Sequence, residues 1–212
     1  MKELSSYKKI HVEASRSYDI IIGDGALSRL GGYVRELLGE CRLALLTDSN
    51  VDALYGDRIV SELSAAGYDV CKYVIPAGEE SKSAENMLAF LNFMAENRLT
   101  RSDALIAFGG GVVGDLGGLS ASLYLRGIAY IQVPTTLLAA VDSSVGGKTA
   151  IDIPAGKNLV GAFYQPRLVC CDTTLMDTLS ADVYRDGCAE VIKYGVILEA
   201  ALYEKLQTPP FD

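Results

Sequence analysis

The sequence predicts an α/β fold in which a mostly parallel sheet is flanked by helices, with an N-terminal antiparallel strand pair and the start of an all-helical second unit. Between residues 26 and 134, short apolar runs alternate with helix-like segments, a pattern typical of parallel strands joined by crossover helices. The chain has 212 residues, of which 50% are hydrophobic. It is therefore long enough and apolar enough to bury a sizeable core.

Each predicted element depends on its own stretch of sequence. KKIHVEAS and YDIIIG lie on either side of turn-prone Arg16 and Ser17, which predicts two antiparallel strands. Further strands are predicted at RLALLTD, YDVCKYVI, ALIAFGG, IAYIQVP and LVCCD, and helices at about residues 26–38, 51–66, 83–97 and 113–125. Asp24 and Ser83 are expected to cap helix N-termini, and Gly67 is expected to end a helix.

Domain boundaries follow from changes in this pattern. Residues 142–167 are dense in glycine, proline and lysine, so we predict a functional loop there. From Ser180 onward the composition is helical. We therefore predict an α/β domain at residues 1–175 and the beginning of a helical domain at residues 176–212. In open parallel sheets ligands bind beyond the carboxyl ends of the strands, so we expect the site there.

Charge and composition exclude several function classes. There are 27 acidic and 19 basic residues, a net charge of -8, so nucleic acid is not an expected partner. No apolar run is long enough to span a membrane and no secretory signal is recognisable, which predicts a cytoplasmic protein. The five cysteines include no CxxC pair. The one histidine, His11, lies in a predicted strand, so any chemistry must use carboxylates, lysines or a borrowed group.

A glycine-rich loop is the first candidate site. Gly109, Gly111 and Gly114 fit GxGxxG between a predicted strand and a predicted helix, where backbone N–H groups can bind a pyrophosphate. The usual fingerprint lies on the first strand and has an acid about 20 residues later, and this one does not. Two interpretations stay open at this point, a dinucleotide site and glycines that only allow a helix to pack closely on a strand.

A second candidate is DSSVGGKT, which ends like a phosphate-binding loop of nucleotide triphosphatases. That loop needs a glycine where this chain has Asp142, and a carboxylate there would repel the phosphates. We therefore reject the triphosphatase hypothesis. What remains is a pocket for a phosphate or carboxylate, with Lys148 and Lys157 close to Asp142 and surrounded by glycines that allow close approach of a ligand.

Five longer motifs then occur in order: GGGVVGDLGG, YLRG, QVPTTLLAAVDSSVGGKTAID, GKNLVGAFYQP and AEVIKYG. With them the chain resembles the 3-dehydroquinate synthase family. The resemblance implies an N-terminal NAD-binding α/β domain, a C-terminal helical domain holding a divalent metal (zinc or cobalt), and a homodimer. It implies conversion of DAHP, a seven-carbon keto-sugar acid phosphate, to 3-dehydroquinate in the shikimate pathway. In that cycle NAD+ oxidises an alcohol, phosphate leaves, the hydride returns, and an aldol step closes the ring.

The resemblance also implies the residues of the site. Those expected to bind NAD are Asp48, Asn50, Glu79, Lys82, Gly111, Gly114, Asp115, Thr135, Thr136, Lys157 and Thr178. Those expected around the substrate are Asp142, Lys148, Asn158, Glu190 and Lys193, with Arg126 near its phosphate, either from the same chain or across a dimer. Glu190 is the expected metal ligand, and it stands three residues before Lys193, so both can lie on one helical face.

The sequence departs from the family pattern at the metal site. The family's other two protein ligands are histidines of the C-terminal domain, and no histidine follows His11 here. Since a catalytic zinc normally has three protein ligands, the chain resembles a truncated synthase that we expect to be inactive by itself. Three alternatives stay open: a related sugar-phosphate cyclase, a polyol dehydrogenase of the glycerol dehydrogenase type, and a catalytically silent binding module.

Overall fold

The structure, a computed structural model, describes residues 7–207. The ends of the two predicted domains, residues 1–6 and 208–212, lie outside the described residues. The strands are β1 Lys8–Val12, β2 Tyr18–Gly23, β3 Leu43–Asp48, β4 Val70–Ile75, β5 Ala104–Gly109, β6 Ala129–Pro134, β7 Lys148–Ile153, β8 Gly156–Phe163 and β9 Leu168–Asp172. The helices are α1 Leu30–Leu38, α2 Ser49–Val51, α3 Asp57–Ala65, α4 Ala84–Glu96, α5 Gly111–Leu123, α6 Ala181–Ile197 and α7 Ala200–Leu206.

Seven of these strands form one sheet in the order β1-β2-β9-β6-β5-β3-β4. Strand β1 pairs with β2 antiparallel, and all other pairs in this sheet are parallel. The predicted fold class is thereby confirmed, together with the strand pair on either side of Arg16. Among the described residues, no helix is long and apolar enough to cross a membrane.

The core has two layers because both faces of the central strands are covered. On β3, Leu43 and Leu45 face the cluster formed with α1 and α3, whereas Ala44 and Leu46 face the cluster formed with α4 and α5. Every residue of β5 is buried, which is typical of a parallel strand between two helical layers. The sheet is therefore a rigid support for the loops at its edges.

The prediction of a loop at residues 142–167 is wrong over most of that segment, which contains strands β7 and β8. Strands β7 and β8 pair antiparallel there, with Lys148 opposite Phe163 and Ile151 opposite Val160. Ile151 is buried against the cluster around α5, and a Cβ added at Gly118 of α5 would lie 2.3 Å from Cγ2 of Thr149. The two-stranded sheet, called the hairpin below, thus packs tightly on α5.

The predicted helix ends have mixed outcomes. Ser83 caps α4, since its hydroxyl accepts the N–H of Asn86, and Gly67 has a φ of 88° after α3, as predicted. Asp24 is not the cap of the turn Ala26–Arg29. Both oxygens of Asp172, at the end of β9, accept the N–H groups of Gly25 and Leu27 instead. The boundary predicted after residue 175 falls within the 3-10 turn Thr173–Thr178 and stays a prediction.

Candidate functional site

The glycine-rich loop lies at the carboxyl edge of the sheet, between β5 and α5. Gly110 precedes α5, and no side chain in the described part of the chain caps that helix. A Cβ added at Gly111 would lie 3.3 Å from Oγ of Ser143. A Cβ at Gly114 would lie 2.8 Å from Oε1 of Gln132 on β6. Gly114 therefore also serves the close packing of helix on strand, whereas the α5 N-terminus is left open to an anion.

The neighbouring strand β6 adds two threonines to this edge. The N–H of Thr135 donates to the carbonyl of Gly109 (3.0 Å) and thereby ties the β6 end to the glycine-rich loop. The Thr135 hydroxyl is buried and has no hydrogen-bond partner within residues 7–207. Thr136 accepts the N–H of Ala139 through its hydroxyl (3.2 Å). A buried hydroxyl without a partner is costly, so a polar ligand beside the loop would stabilise Thr135.

Two more predicted residues lie at the ends of β3 and β9. The Asp48 carboxylate accepts the N–H groups of Asn50 (2.9 Å) and Val51 (3.1 Å), which caps α2. Thr178 forms a hydrogen bond of 2.8 Å with the hydroxyl of Tyr55. Both groups lie on the same sheet edge as the glycine-rich loop, because the carboxyl ends of parallel strands share an edge. Asn50 itself is exposed.

Lys82 is the most buried charged residue of the site. Its side chain is 5% exposed, and Nζ contacts Oδ2 of Asp115 on α5 and Oδ1 of Asn158 on the hairpin. Burial raises the pKa of the Asp115 carboxyl above its ordinary value, and the contact with Lys82 opposes that rise. Nearby, Nζ of Lys157 lies 3.2 Å from Oε1 of Glu79. Charges from the segment between β4 and α4, from α5 and from the hairpin therefore meet at one place.

A cavity of about 490 Å³ opens beside this cluster. Among the residues that line it are Asp115, Asp142, Lys148 and Asn158, four of the predicted site residues. The hydroxyl of Tyr194 on α6 donates to Oδ1 of Asp142 (2.9 Å), and this hydrogen bond raises the pKa of Tyr194. Both charge signs line one hollow together with apolar side chains such as Leu159 and Phe163, which suits a ligand that carries hydroxyl groups and anionic groups on a carbon skeleton.

Glu190 and Lys193 form an ion pair on α6, and the contact with Glu190 raises the pKa of Lys193. The pair lies near Asp142, since Tyr194 follows Lys193 directly. Within residues 7–207 no group of three or more histidine, cysteine or carboxylate side chains could hold a metal ion. The described residues therefore do not fit a complete metal centre, although Glu190 could supply one ligand to it.

Arg126 lies apart from the other predicted site residues. It belongs to the turn Tyr124–Arg126, which precedes β6, and it lines a different cavity together with Arg101 and Arg167, which precede β5 and β9. Arg126 is thus at the amino edge of the sheet, and its own chain does not bring it to the carboxyl-edge cavity. Of the two possibilities stated above, only an approach from another chain is compatible with this position.

Sequence reasoning missed three residues that shape the site. Asp152 accepts the N–H of Asn158 (2.7 Å), and its own N–H donates to the carbonyl of Lys82 (2.8 Å). Ser143 faces Gly111, and Tyr194 holds Asp142. The turn-forming sequence DIPAGKN is the one local signal for Asp152. The other two contacts join segments that are distant in sequence, so no local pattern marks them.

The fold and the cavity together define the class of protein. It is a mostly parallel α/β sheet with a cavity of mixed charge beyond the carboxyl ends of its strands, where proteins of this architecture bind their ligands. A sequence model of one family, described as 3-dehydroquinate synthase N-terminal, matches residues 72–186. That match contains the glycine-rich loop, the hairpin and the start of α6. The chain belongs to this 3-dehydroquinate synthase family.

Curated relatives agree with this assignment. The chain is 47% identical over 191 residues to the 3-dehydroquinate synthase of Clostridium acetobutylicum, a match that covers 90% of this chain and 54% of the relative. It is 50% identical over 194 residues to that of Caulobacter vibrioides, covering 91% of this chain and 52% of the relative. The chain spans about half the length of the curated relatives it matches.

Solved structures of related proteins share the fold. A 2-deoxy-scyllo-inosose synthase complexed with carbaglucose-6-phosphate, NAD+ and Co2+ is 30% identical, with a TM-score of 0.84 over 92% of this chain and 52% of the other. A 2-epi-5-epi-valiolone synthase from Streptomyces hygroscopicus with NAD+ and Zn2+ bound is 29% identical, with a TM-score of 0.84 over 94% of this chain and 55% of the other. A glycerol dehydrogenase from Schizosaccharomyces pombe shares the fold alone. It is 22% identical, with a TM-score of 0.69 over 91% of this chain and 45% of the other.

Proposed function

We propose that this chain is the coenzyme-binding part of a 3-dehydroquinate synthase, which converts DAHP to 3-dehydroquinate with loss of phosphate. The observation that carries the proposal is the cavity lined by Asp115, Asp142, Lys148 and Asn158, beside the uncapped N-terminus of α5. All four residues lie within the segment that matches the family. In this proposal residues 1–175 bind the coenzyme and residues 176–212 begin the domain that closes over the substrate.

Two observations support the binding of NAD+ at the carboxyl edge of the sheet. The α5 N-terminus presents N–H groups behind glycines whose missing side chains leave room, and the Thr135 hydroxyl is buried without a partner. We assign the pyrophosphate to the loop at Gly111, and Asp48 and Asn50 to the ribose at the adenosine end. When bound, NAD supplies a hydride acceptor that is restored within the cycle. The Lys82 side chain contacts both Asp115 on α5 and Asn158 on the hairpin, and so connects the glycine-rich helix to the hairpin.

The substrate-facing residues have complementary roles. Lys148 provides a positive charge for the carboxylate or phosphate of DAHP, and Asn158 offers both a donor and an acceptor to its hydroxyl groups. Asp142 accepts one hydrogen bond from Tyr194, which leaves its second oxygen for a substrate hydroxyl. The Glu190–Lys193 pair lies next to this group on α6. The arrangement can orient a polyhydroxylated acid phosphate through its hydroxyl groups and its anionic groups.

A divalent metal belongs to the proposed enzyme, but residues 7–207 supply only Glu190 as an expected ligand, so no step is assigned to the metal. A direct test joins this chain to the part of the Clostridium acetobutylicum relative that lies beyond the match. With NAD+, Zn2+ and DAHP, we expect this chimera to release phosphate without net accumulation of NADH. The chain alone should release none.

The matched control is Lys148→Ala in the same chimera, which should keep NAD+ binding and lose phosphate release. A folded chimera that binds NAD+ but leaves DAHP intact would contradict the proposed reaction. Net NADH formation from glycerol would favour a polyol dehydrogenase. Turnover of glucose 6-phosphate in place of DAHP would favour a related sugar-phosphate cyclase, the class to which the 30% identical 2-deoxy-scyllo-inosose synthase belongs.

A further inference from the structure

The hairpin contains a β-bulge beside the carboxyl-edge cavity. The strand register shifts between Ile151 and Ile153 of β7, so that Asp152 lies opposite the three residues 157–159 of β8. Bulges are frequent next to active sites, where they redirect a side chain. This bulge carries Asn158, which lines the cavity. The position of Asn158 therefore depends on what holds the bulge in place.

The Asp152 carboxylate holds the backbone of Asn158. Asn158 has a φ of 57°, in the left-handed region that residues other than glycine seldom adopt. The extra residue of a bulge is left unpaired in the strand ladder, so its N–H needs another acceptor. Oδ1 of Asp152 accepts the N–H of Asn158 at 2.7 Å. A carboxylate is a stronger acceptor than the carbonyl group it replaces, which stabilises this uncommon conformation.

Asp152 also connects the hairpin to the segment that carries Lys82. Its N–H donates to the carbonyl of Lys82 at 2.8 Å, and it forms an isolated parallel bridge with Ser83. Nζ of Lys82 in turn contacts Oδ1 of Asn158. The contacts therefore form a closed ring that runs from Lys82 through Asp152 to Asn158 and back to Lys82.

This ring decides which end of the Asn158 amide is available to a ligand. The ammonium group of Lys82 has donors only, so the amide must present its carbonyl oxygen to Lys82. Within residues 7–207, the hydrogen bonds of Asn158 involve its N–H and its Oδ1. The amide nitrogen Nδ2 is thus left to donate to an acceptor oxygen of a ligand in the cavity that this side chain lines.

We propose that Asp152 is a positioning residue of the synthase site, which acts on the substrate through Asn158. The inference rests on the proposed function, in which Asn158 binds DAHP. Asp152 is not among the described residues that line the cavity, so its effect on a substrate must pass through a neighbour. Its contact with Lys82 uses the main-chain N–H. Replacing the Asp152 side chain therefore removes the contact with Asn158 and keeps the one with Lys82.

Amide hydrogen exchange of this chain, followed by NMR, tests the contact without any reaction. In Asp152→Ala we expect the N–H of Asn158 to exchange at least about tenfold faster than in the unaltered protein, because its acceptor is gone. In Asp152→Asn an amide oxygen still accepts, so the rate should stay within about threefold of the unaltered one. The N–H of Ile106 on β5 reports global unfolding, so acceleration confined to Asn158 identifies a local contact.

Kinetics of the chimera described above test the consequence for the substrate. Asp152→Ala should raise the KM for DAHP at least about tenfold and change kcat less than about threefold, because Asn158 contributes to binding in the ground state and the transition state alike. The Kd of NAD+ should stay within about twofold, since Lys82 keeps its main-chain contact. Asp152→Asn should restore the KM to within about threefold of the unaltered value.

Two further variants separate positioning from a general structural role. In an Asn158→Ala background, Asp152→Ala should raise the KM for DAHP by no more than about twofold, because residues that act through one another are not additive. Glu96→Ala removes an exposed acid at the end of α4 that is not among the described residues lining the cavity. It is the matched control for the loss of one negative charge and should behave like the unaltered chimera.

Three results would overturn the inference. The first is an unchanged exchange rate at Asn158 in Asp152→Ala. The second is an Asp152→Asn variant as defective as Asp152→Ala, which would assign the effect to the lost charge. The third is full additivity in the Asn158→Ala background. An unaltered chimera that leaves DAHP intact would count against the proposed function instead, and the exchange rates would then decide whether Asp152 holds Asn158.

Discussion

The two edges of the sheet arrange charge in opposite ways. At the carboxyl edge, Lys82 is buried between Asp115 and Asn158, and Lys157 lies beside Glu79, so both of these cations have a partner within the chain. At the amino edge, Arg101, Arg126 and Arg167 line one cavity together with Arg16, and the described chain gives none of these arginines an acidic partner. The first arrangement fixes the shape of a site before a ligand arrives, whereas the second leaves solvent-exposed arginines close to one another.

The largest expected effect comes from breaking the buried pair. Lys82→Met leaves the Asp115 carboxylate without its cation, and we expect the free energy of unfolding at pH 7 to fall by about 2–4 kcal/mol. The pKa of Asp115 is already raised by burial, so the native state holds this proton more tightly than the unfolded state does. Stability should therefore fall as the pH rises from about 4 through the raised pKa.

Urea unfolding of this variant between pH 4 and pH 8 checks that sign. The difference from the unaltered protein should shrink as the pH falls through the raised pKa of Asp115, because protonation removes the unpaired charge. Adding Asp115→Asn to Lys82→Met should remove most of the pH dependence. A loss of stability that is the same at every pH would show that the pair acts through packing and not through charge.

The next effect concerns the wall of the carboxyl-edge cavity. Gly118→Ala places a methyl group against Thr149 of the hairpin, and we expect a loss of about 1–3 kcal/mol from overpacking. Gly32→Ala is the matched control, because a Cβ there meets nothing within 4 Å and an exposed helical position gains about 0.5–1 kcal/mol from alanine. Chemical denaturation of both variants measures the difference. Equal stabilities would mean that the hairpin does not pack on α5.

At the amino edge the same kind of charge removal should cost nothing. Arg101→Gln reduces repulsion among the arginines, so we expect its Tm at low ionic strength to be unchanged or higher by about 1–2 °C. Differential scanning calorimetry at two salt concentrations tests this, since screening should abolish any gain. A clear drop in Tm would mean that Arg101 has a stabilising partner, and the contrast between the two edges would fail.

The smallest effect is expected on the surface of the N-terminal strand pair. Hydrogen bonds lower the pKa of the Asp19 carboxyl, the one from Lys9 more than the one from His11. The carboxylate therefore stabilises the protein fully at pH values above its pKa in the unfolded chain. This stabilisation is lost as the pH falls through the lower pKa of the folded protein. Because the Lys9 partner is largely exposed, Asp19→Asn should change Tm at pH 7 by no more than about 2 °C. Thermal unfolding at a series of acidic pH values should show that this difference shrinks as the pH falls through the lowered pKa of Asp19.

The sequence predicts the central sheet well because its strands are buried on both faces. ALIAFG in β5 has no polar side chain, and all of its residues are buried. The sequence predicts a loop at the hairpin because most residues of β8 are exposed and, among the described strands, β8 pairs only with β7. Its glycines and lysines interrupt the alternation of polar and apolar residues that indicates a strand. The Asp172 cap was missed since 147 positions separate it from Gly25, and local patterns cannot report such contacts.

Similar reasons limit what the sequence says about the site. The family resemblance supplies the residue types, and the structure brings Lys82, Asp115 and Asn158 into contact from three distant segments. The position of Arg126 at the opposite edge could have been predicted from the order of the elements, because YLRG directly precedes the predicted strand IAYIQVP. Whether a charged side chain has an ionic partner depends on which segments the folded chain brings together.

The central claim is that the carboxyl edge of the sheet holds a dinucleotide along the glycine-rich loop. A crystal structure of this protein grown with NAD+ tests it most directly. We expect the pyrophosphate beside the N–H groups at the start of α5, with the Thr135 hydroxyl now hydrogen-bonded. NAD+ lodged in the arginine-lined cavity, or a glycine-rich loop sealed by side chains with no coenzyme bound, would contradict it.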